Sequence, residues 1–203
     1  MLVMGLTGGI ASGKSTVANR LKEFDGACHI DADAIAYELS EPGQPMWQGY
    51  VEHFGREQAL LADGTLNRAG IGEIVFHHPE ERHWMDEMAH PLIKAEINRR
   101  IAAAQKAGMK VAILDIPLLF EVGWEKLADF VWVVYVSPET QIARLIARNG
   151  LTEEAAQARI ASQMSLGEKA KLADTVIDNN GGLEELLGQI DAAWQQLLAG
   201  ERK

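Results

Sequence analysis

The chain has 203 residues, 47% of them hydrophobic and 24% charged, which allows a sizeable core in one compact domain with room for inserts. Its formal net charge of -10 argues against nucleic acid or an acidic membrane as partner, because both favour a basic face. The single cysteine, Cys28, excludes an intrachain disulfide and reads as a small apolar residue in a strand.

Leu2, Val3, Met4 and Leu6 form a short apolar run of the kind a buried strand needs. Gly8-Gly9-Ile10-Ala11-Ser12-Gly13-Lys14-Ser15-Thr16 follows and matches the phosphate-loop pattern G-x-x-x-x-G-K-[ST] in full. Its glycines let the backbone turn N–H groups inward around an anion. Lys14 supplies a cation for the β- and γ-phosphates, and the Ser15 hydroxyl is placed to hold Mg²⁺. A helix starting near Gly13 aims its positive end at the same phosphates. Val17, Leu21 and Phe24 share one face of that helix, so the loop lies between a strand and a helix, the context the motif requires. The pattern implies a nucleoside-triphosphate site, and in so acidic a chain the positive charge for it must be gathered locally.

Ala27 to Ile30 read as a second strand, ending in Asp31-Ala32-Asp33, two acids that an extended backbone would project to one side. Either could instead cap the helix that follows, which carries Ile35, Ala36 and Leu39 and stops at the turn cluster Glu41-Pro42-Gly43-Gln44-Pro45. Residues 46–106 read as helical throughout, apart from a turn at Asp63-Gly64, with a longer helix starting after His90-Pro91 and ending at Gly108. That is far more helix than a crossover between two strands needs. We read residues 46–107 as an inserted acceptor-binding region, the alternative being helical padding on a sheet.

Val111, Ala112, Ile113 and Leu114 make the clearest buried strand, and it ends in Asp115. An apolar strand ending in Asp, after a phosphate loop, is the Walker B arrangement, whose carboxylate reaches Mg²⁺ directly or through water. Phe130 to Val136 is another continuous apolar strand, and such runs separated by helices indicate a parallel sheet covered on both faces. Ser137-Pro138-Glu139 opens a helix on which Arg144 and Arg148 share a face. Gly150 stops it, and Thr152 caps a second helix carrying Arg159 and Gln163. Three arginines on this helix pair over residues 138–163 suggest a lid over the phosphates, while composition alone would favour a solvated charged face. Asp174 to Ile177 reads as a last strand, Asp178 to Gly182 as a loop and Leu183 to Leu198 as a closing amphipathic helix. The expected fold is α/β: a P-loop NTPase core (residues 1–45, 108–137 and 164–203) with a parallel five-stranded sheet flanked by helices, plus the helical acceptor region and the helical lid. No stretch reaches the ~18–20 apolar residues of a membrane span, and no basic segment with a long apolar run opens the chain. A cytoplasmic protein is expected, with small-molecule substrates, no nucleic acid, no membrane and no inferred protein partner.

With these motifs placed, the sequence resembles the dephospho-CoA kinases over nearly its whole length. The resemblance rests on Leu6 to Thr16, Asp31-Ala32-Asp33, Pro42-Gly43-Gln44-Pro45, Gly64-Thr65-Leu66-Asn67-Arg68, Val75-Phe76 and His90-Pro91. It continues through Asp115-Ile116-Pro117-Leu118-Leu119-Phe120-Glu121, Gln141 with Arg144 and Arg148, Arg159 to Gln163, and Asp178-Asn179-Asn180-Gly181. It implies transfer of the ATP γ-phosphoryl group to the ribose 3′-hydroxyl of dephospho-CoA, with Mg²⁺. By position it implies Asp33 facing the acceptor hydroxyl, Arg68, His90, Arg159 and Gln163 with the acceptor, and Asn179 and Gly181 near the adenine. Lys14, Arg144 and Arg148 join Asp33 as catalytic residues. ATP would meet Gly8, Gly9, Ile10, Ala11, Ser12, Gly13, Lys14, Ser15, Thr16, Arg144 and Arg148, and the metal would meet Ser15 and Asp115. Two positions depart from the family pattern: Tyr37 stands where arginine is common, and Asn67 where aspartate is common. His90 before proline also reads as an ordinary helix-terminal residue. A second reading is another P-loop small-molecule kinase, for a nucleoside monophosphate or a sugar acid. A regulatory GTPase is a third, but the Asn-Lys-x-Asp guanine motif does not occur.

Overall fold

The computed structural model describes residues 1–200. In chain order its elements are β1 (Leu2–Gly8), α1 (Lys14–Lys22), β2 (Ala27–Asp31), α2 (Ala32–Leu39), α3 (Pro45–Phe54), α4 (Arg56–Ala59), α5 (Arg68–His77) and α6 (Pro79–Lys106). They continue with β3 (Val111–Asp115), β4 (Phe130–Tyr135), α7 (Pro138–Asn149), α8 (Glu153–Ala161), α9 (Leu166–Leu172), β5 (Thr175–Asp178) and α10 (Leu183–Ala199). The strands form one sheet in the order β2-β3-β1-β4-β5, with β1 parallel to both β3 and β4, and β4 parallel to β5. The expected five-stranded parallel α/β core is therefore present.

Period-two alternation decides what each face of the sheet carries. Met4 and Leu6 of β1, Ile113 of β3, Trp132 and Val134 of β4 and Ile177 of β5 pack with Val17 and Leu21 of α1 and Ile190 and Trp194 of α10. Phe24 stacks on Trp194 at 4.8 Å between ring centroids. On the intervening positions of β1, Gly5 lies so close to Leu119 that a Cβ would come within 2.9 Å of its side chain, and Thr7 donates its hydroxyl to the Pro117 carbonyl. A central strand bearing the phosphate loop is thus fixed from both sides.

The chain divides into two compact units, Met1–Ile30 with Ala104–Lys203, and Asp31–Ala103. The second is all helix apart from an antiparallel bridge between Leu60 and Leu66 across the Gly64 turn. Within it Tyr50, Phe54 and Trp84 form an aromatic cluster in which His53 stacks on Trp84 at 3.7 Å.

Two local expectations change. The long helix does not start after His90-Pro91: α6 begins at Pro79 and runs 28 residues with Pro91 inside it. Proline removes one backbone donor, but Pro79, twelve residues before Pro91, and the acids Glu80 and Glu81 already start the helix, and its remaining hydrogen bonds carry it past Pro91. Asp31 and Asp33 do not share a strand face either. Asp31 ends β2 and is the N-cap of α2, its carboxylate accepting from the N–H groups of Asp33 and Ala34, so Asp33 sits in the first helical turn. No helix of the described residues is long and apolar enough to cross a membrane.

Candidate active site

The loop between β1 and α1 is built from backbone that an ordinary sequence avoids. Gly13, the residue before α1, has φ 87°, and a Cβ there would collide with the Asn179 amide. Ala11 takes φ 59° despite its Cβ, a strained state costing about 1–2 kcal/mol. Side chains from later in the chain hold this shape. Asn179, buried in the turn after β5, donates its amide to the Ser12 carbonyl at 2.8 Å. Gln141 of α7 donates to the Ile10 carbonyl at 2.8 Å, and Gln163, between α8 and α9, accepts from the Ile10 N–H at 2.9 Å. The Ser12 hydroxyl is buried with no hydrogen-bond partner among the described residues, a polar atom left for a ligand inside the loop.

Opposite the loop, β3 delivers Asp115 at its carboxyl end. The carboxylate is nearly buried, pairs with the Lys14 ammonium and meets His29 Nε2 at 3.0 Å. Burial pushes the Asp115 carboxyl up, but the His29 hydrogen bond and the charge of Lys14 outweigh it and hold the group below the usual carboxylate range. Asp115 is therefore an ionised oxygen donor beside the loop lysine, and Ser15 stands exposed in the first turn of α1. Oxygen donors of this hardness suit Mg²⁺.

The arginines separate. The Arg144 guanidinium donates to the Asn179 carbonyl at 2.8 Å and approaches the start of α1, its Nη1 lying 3.9 Å from where a Gly13 Cβ would stand. Arg148 is exposed one turn on and bonds its neighbour Asn149, and Arg159 is exposed on α8. Gly181 lies exposed beside the Glu185 carboxylate.

In the helical unit, Arg68 opens α5. Its guanidinium lies 4.4 Å over the Tyr37 ring and donates to the Ser40 hydroxyl at 2.7 Å. Asn67 caps α5 by accepting from Gly70 N–H, a task aspartate would also perform. Asp33 lies in the first turn of α2, and His90 lies half-buried in the middle of α6, 3.7 Å from Asp86. Gln163 is found holding the phosphate loop. Sequence reasoning does not single out Gln141, His29, Lys169 or Glu121 as site residues, although Gln141 and Glu121 lie inside the motifs that carry the family resemblance. Only long-range hydrogen bonds show what these four hold.

A parallel sheet whose central strand runs into such a loop, with the loop lysine paired to the acid ending the adjacent strand, defines a P-loop nucleotide-binding protein. The dephospho-CoA kinase family model matches residues 2–185, and the chain belongs to that family. It is 49% identical over 201 residues to a dephospho-CoA kinase of Symbiobacterium thermophilum, covering 99% of this chain and 83% of that one. The structure of a dephospho-CoA kinase from Campylobacter jejuni matches with TM-score 0.75 at 29% identity, over 98% of each chain. Shikimate kinase from Acinetobacter baumannii, solved with shikimate, matches with TM-score 0.53 at 16% identity over 100% of this chain and 96% of that one, and so shares the fold.

Proposed function

We infer that the chain transfers the γ-phosphoryl group of ATP to the ribose 3′-hydroxyl of dephospho-CoA, giving coenzyme A and ADP. The carrying observation is membership of the dephospho-CoA kinase family together with an intact phosphate loop facing the Lys14–Asp115 pair. Phosphoryl transfer asks the protein for positioning and charge neutralisation more than for covalent chemistry. The N–H groups of Gly13 to Ser15 would cradle the phosphates, with Gln141, Gln163 and Asn179 holding the loop in that shape before ATP arrives. Lys14 would exchange Asp115 for the β- and γ-phosphates. That exchange leaves the Asp115 carboxylate, with the Ser15 hydroxyl, to hold Mg²⁺, which when bound would neutralise charge developing on the phosphates. Arg144 would add a fixed positive charge at the start of α1. Residues 138–163 would act as a lid that brings Arg148 and Arg159 to the substrates and excludes water.

Asp33 would orient the acceptor hydroxyl and accept its proton as the new O–P bond forms. Asp33, in the first turn of α2 next to its cap Asp31, is the acid to which the family resemblance points for that role. Arg68, His90 and the rest of residues 46–107 would bind the acceptor. The guanidinium of Arg68, supported on one side by Tyr37, suits a phosphate-bearing acceptor.

The test is ADP release with dephospho-CoA, AMP, gluconate and shikimate as rival acceptors. Stimulation by dephospho-CoA alone is the expected result, and an equal or larger response to another acceptor overturns the assignment.

A further inference from the structure

Lys169 of α9 has no exposed surface, and no step above uses it. A buried ammonium is costly unless paired and hydrogen-bonded. Its Nζ donates to the Pro117 carbonyl at 2.8 Å and to Glu121 Oε1 at 2.9 Å. Each of these acceptors has a second donor. Pro117 also takes the Thr7 hydroxyl of β1 at 2.9 Å, and Glu121 Oε1 also takes the Met164 N–H at 3.0 Å. Burial pulls the ammonium's pKa down, the Glu121 carboxylate partly offsets that, and the nearby charge of Lys14 adds to it.

One ammonium thus joins the strand that carries the phosphate loop, the segment that leaves Asp115, and the junction between α8 and α9. The same junction touches the loop directly. Gln163 accepts from Ile10 N–H, and the Leu166 side chain packs on Gly9, within 3.2 Å of where a Cβ would stand. The base of residues 138–163 is therefore held on two sides. An apolar side chain could fill the Lys169 pocket without desolvating a charge, and such replacements of buried ion pairs are often neutral or stabilising. A buried ion pair is therefore weak evidence of stabilisation by itself.

We propose that Lys169 and Glu121 form a clasp at the base of the lid, a positioning pair that fixes where α7 and α8 close over the bound triphosphate. The clasp rests on the lid reading given above. Its function is to make closure a movement about a fixed point, so that water stays out while the acceptor reacts.

The variants are Lys169→Met, Glu121→Gln and the double substitution. The first readout is the fraction of ATP turnover that goes to water instead of to dephospho-CoA, taken well below each variant's unfolding midpoint. This fraction does not depend on how much enzyme is folded. The water share should rise on the order of tenfold in Lys169→Met and less in Glu121→Gln, with the double variant no worse than Lys169→Met because the two act as one unit. The second readout needs no acceptor: amide hydrogen exchange across residues 138–163 with a non-hydrolysable ATP analogue. Exchange should be faster in the variants than in the wild type. If Lys169→Met does not fold, Glu121→Gln carries both readouts. A lowered unfolding midpoint with unchanged partitioning and unchanged lid exchange would show Lys169 to be structural only and overturn the proposal. If the wild type ignores dephospho-CoA, the functional reading fails while the exchange experiment still decides the clasp.

Discussion

The two compact units treat their polar side chains in opposite ways. In the unit formed by Met1–Ile30 and Ala104–Lys203, Gln141, Asn179 and Lys169 are buried, and each holds a backbone carbonyl. In Asp31–Ala103 the charges lie nearer the surface and pair with one another, Glu96 with Arg99 and Arg100 and Arg100 with Glu38, while His53 hydrogen-bonds Glu81. Exposed pairs of this kind contribute roughly 0–1 kcal/mol each. Buried side chains holding backbone are costly to disturb, because a lost partner leaves a desolvated group behind. A phosphate cradle made of N–H groups works only if its shape exists before the ligand binds. The first unit carries buried polar anchors for its loop, and the second keeps its charged pairs nearer the surface.

The sharpest way to break the comparison is Asp33→Asn, because it asks whether the helical unit supplies chemistry or only binding. The expected result is kcat lowered on the order of 10²- to 10⁴-fold with ATP affinity near normal. Asp31→Asn should do far less, since asparagine still caps α2. A wild-type rate in Asp33→Asn with a collapse in Asp31→Asn would move the role to Asp31. Lys14→Ala should cost on the order of 10²- to 10³-fold in turnover while circular dichroism shows an unaltered fold. Full turnover in a folded Lys14→Ala protein is incompatible with the phosphate-loop mechanism.

Asn179→Ala tests the rigid cradle directly. It removes the amide held by the Ser12 carbonyl and should destabilise the protein by about 1–3 kcal/mol while raising the KM for ATP more than that for the acceptor. Equal changes in both would mean that the cradle is not its target. Tyr37→Ala should raise the acceptor KM about two- to fivefold, the scale of an exposed cation–π contact of about 0.5–1 kcal/mol, and Tyr37→Phe should restore it. A change in kcat instead would remove Tyr37 from the support of Arg68.

The smallest effect concerns acid stability. The hydrogen bond from Arg99, with that from Arg100, holds the Glu96 carboxyl at about 2, below its ordinary 4.5. A depressed folded-state value means stability that is full above the unfolded value and is lost as pH falls from about 4.5 through about 2. Glu96→Gln should be slightly less stable than wild type at neutral pH and equal to it near pH 2. Parallel curves across that window would show that the pair adds nothing.

Much of the fold was legible because its signals are local. The apolar runs Leu2 to Leu6, Val111 to Leu114 and Phe130 to Val136 became strands, and Ser137-Pro138-Glu139 and Thr152 became helix starts where their chemistry indicated. The misreadings occurred where a local signal had a rival. His90-Pro91 resembles a helix start, but the proline and acids at Pro79 to Glu81 already provide one. Asp31 and Asp33 resemble a strand pair, but the free N–H groups of α2 turn the chain at Asp31 and take its carboxylate.

By itself the sequence determined the phosphate loop, the Asp-ended strand and the family, because each depends on residue types at fixed spacing along the chain. Tertiary structure alone decided what holds them. Gln141, Gln163 and Asn179 reach the loop from positions 131, 153 and 167 residues away along the chain, and no periodicity connects a glutamine to a peptide group that distant. The burial of Lys169, likewise, could not be read from a lysine on a short polar-looking helix. It follows from α9 packing against the sheet with Glu121 and the Pro117 carbonyl positioned to receive the charge.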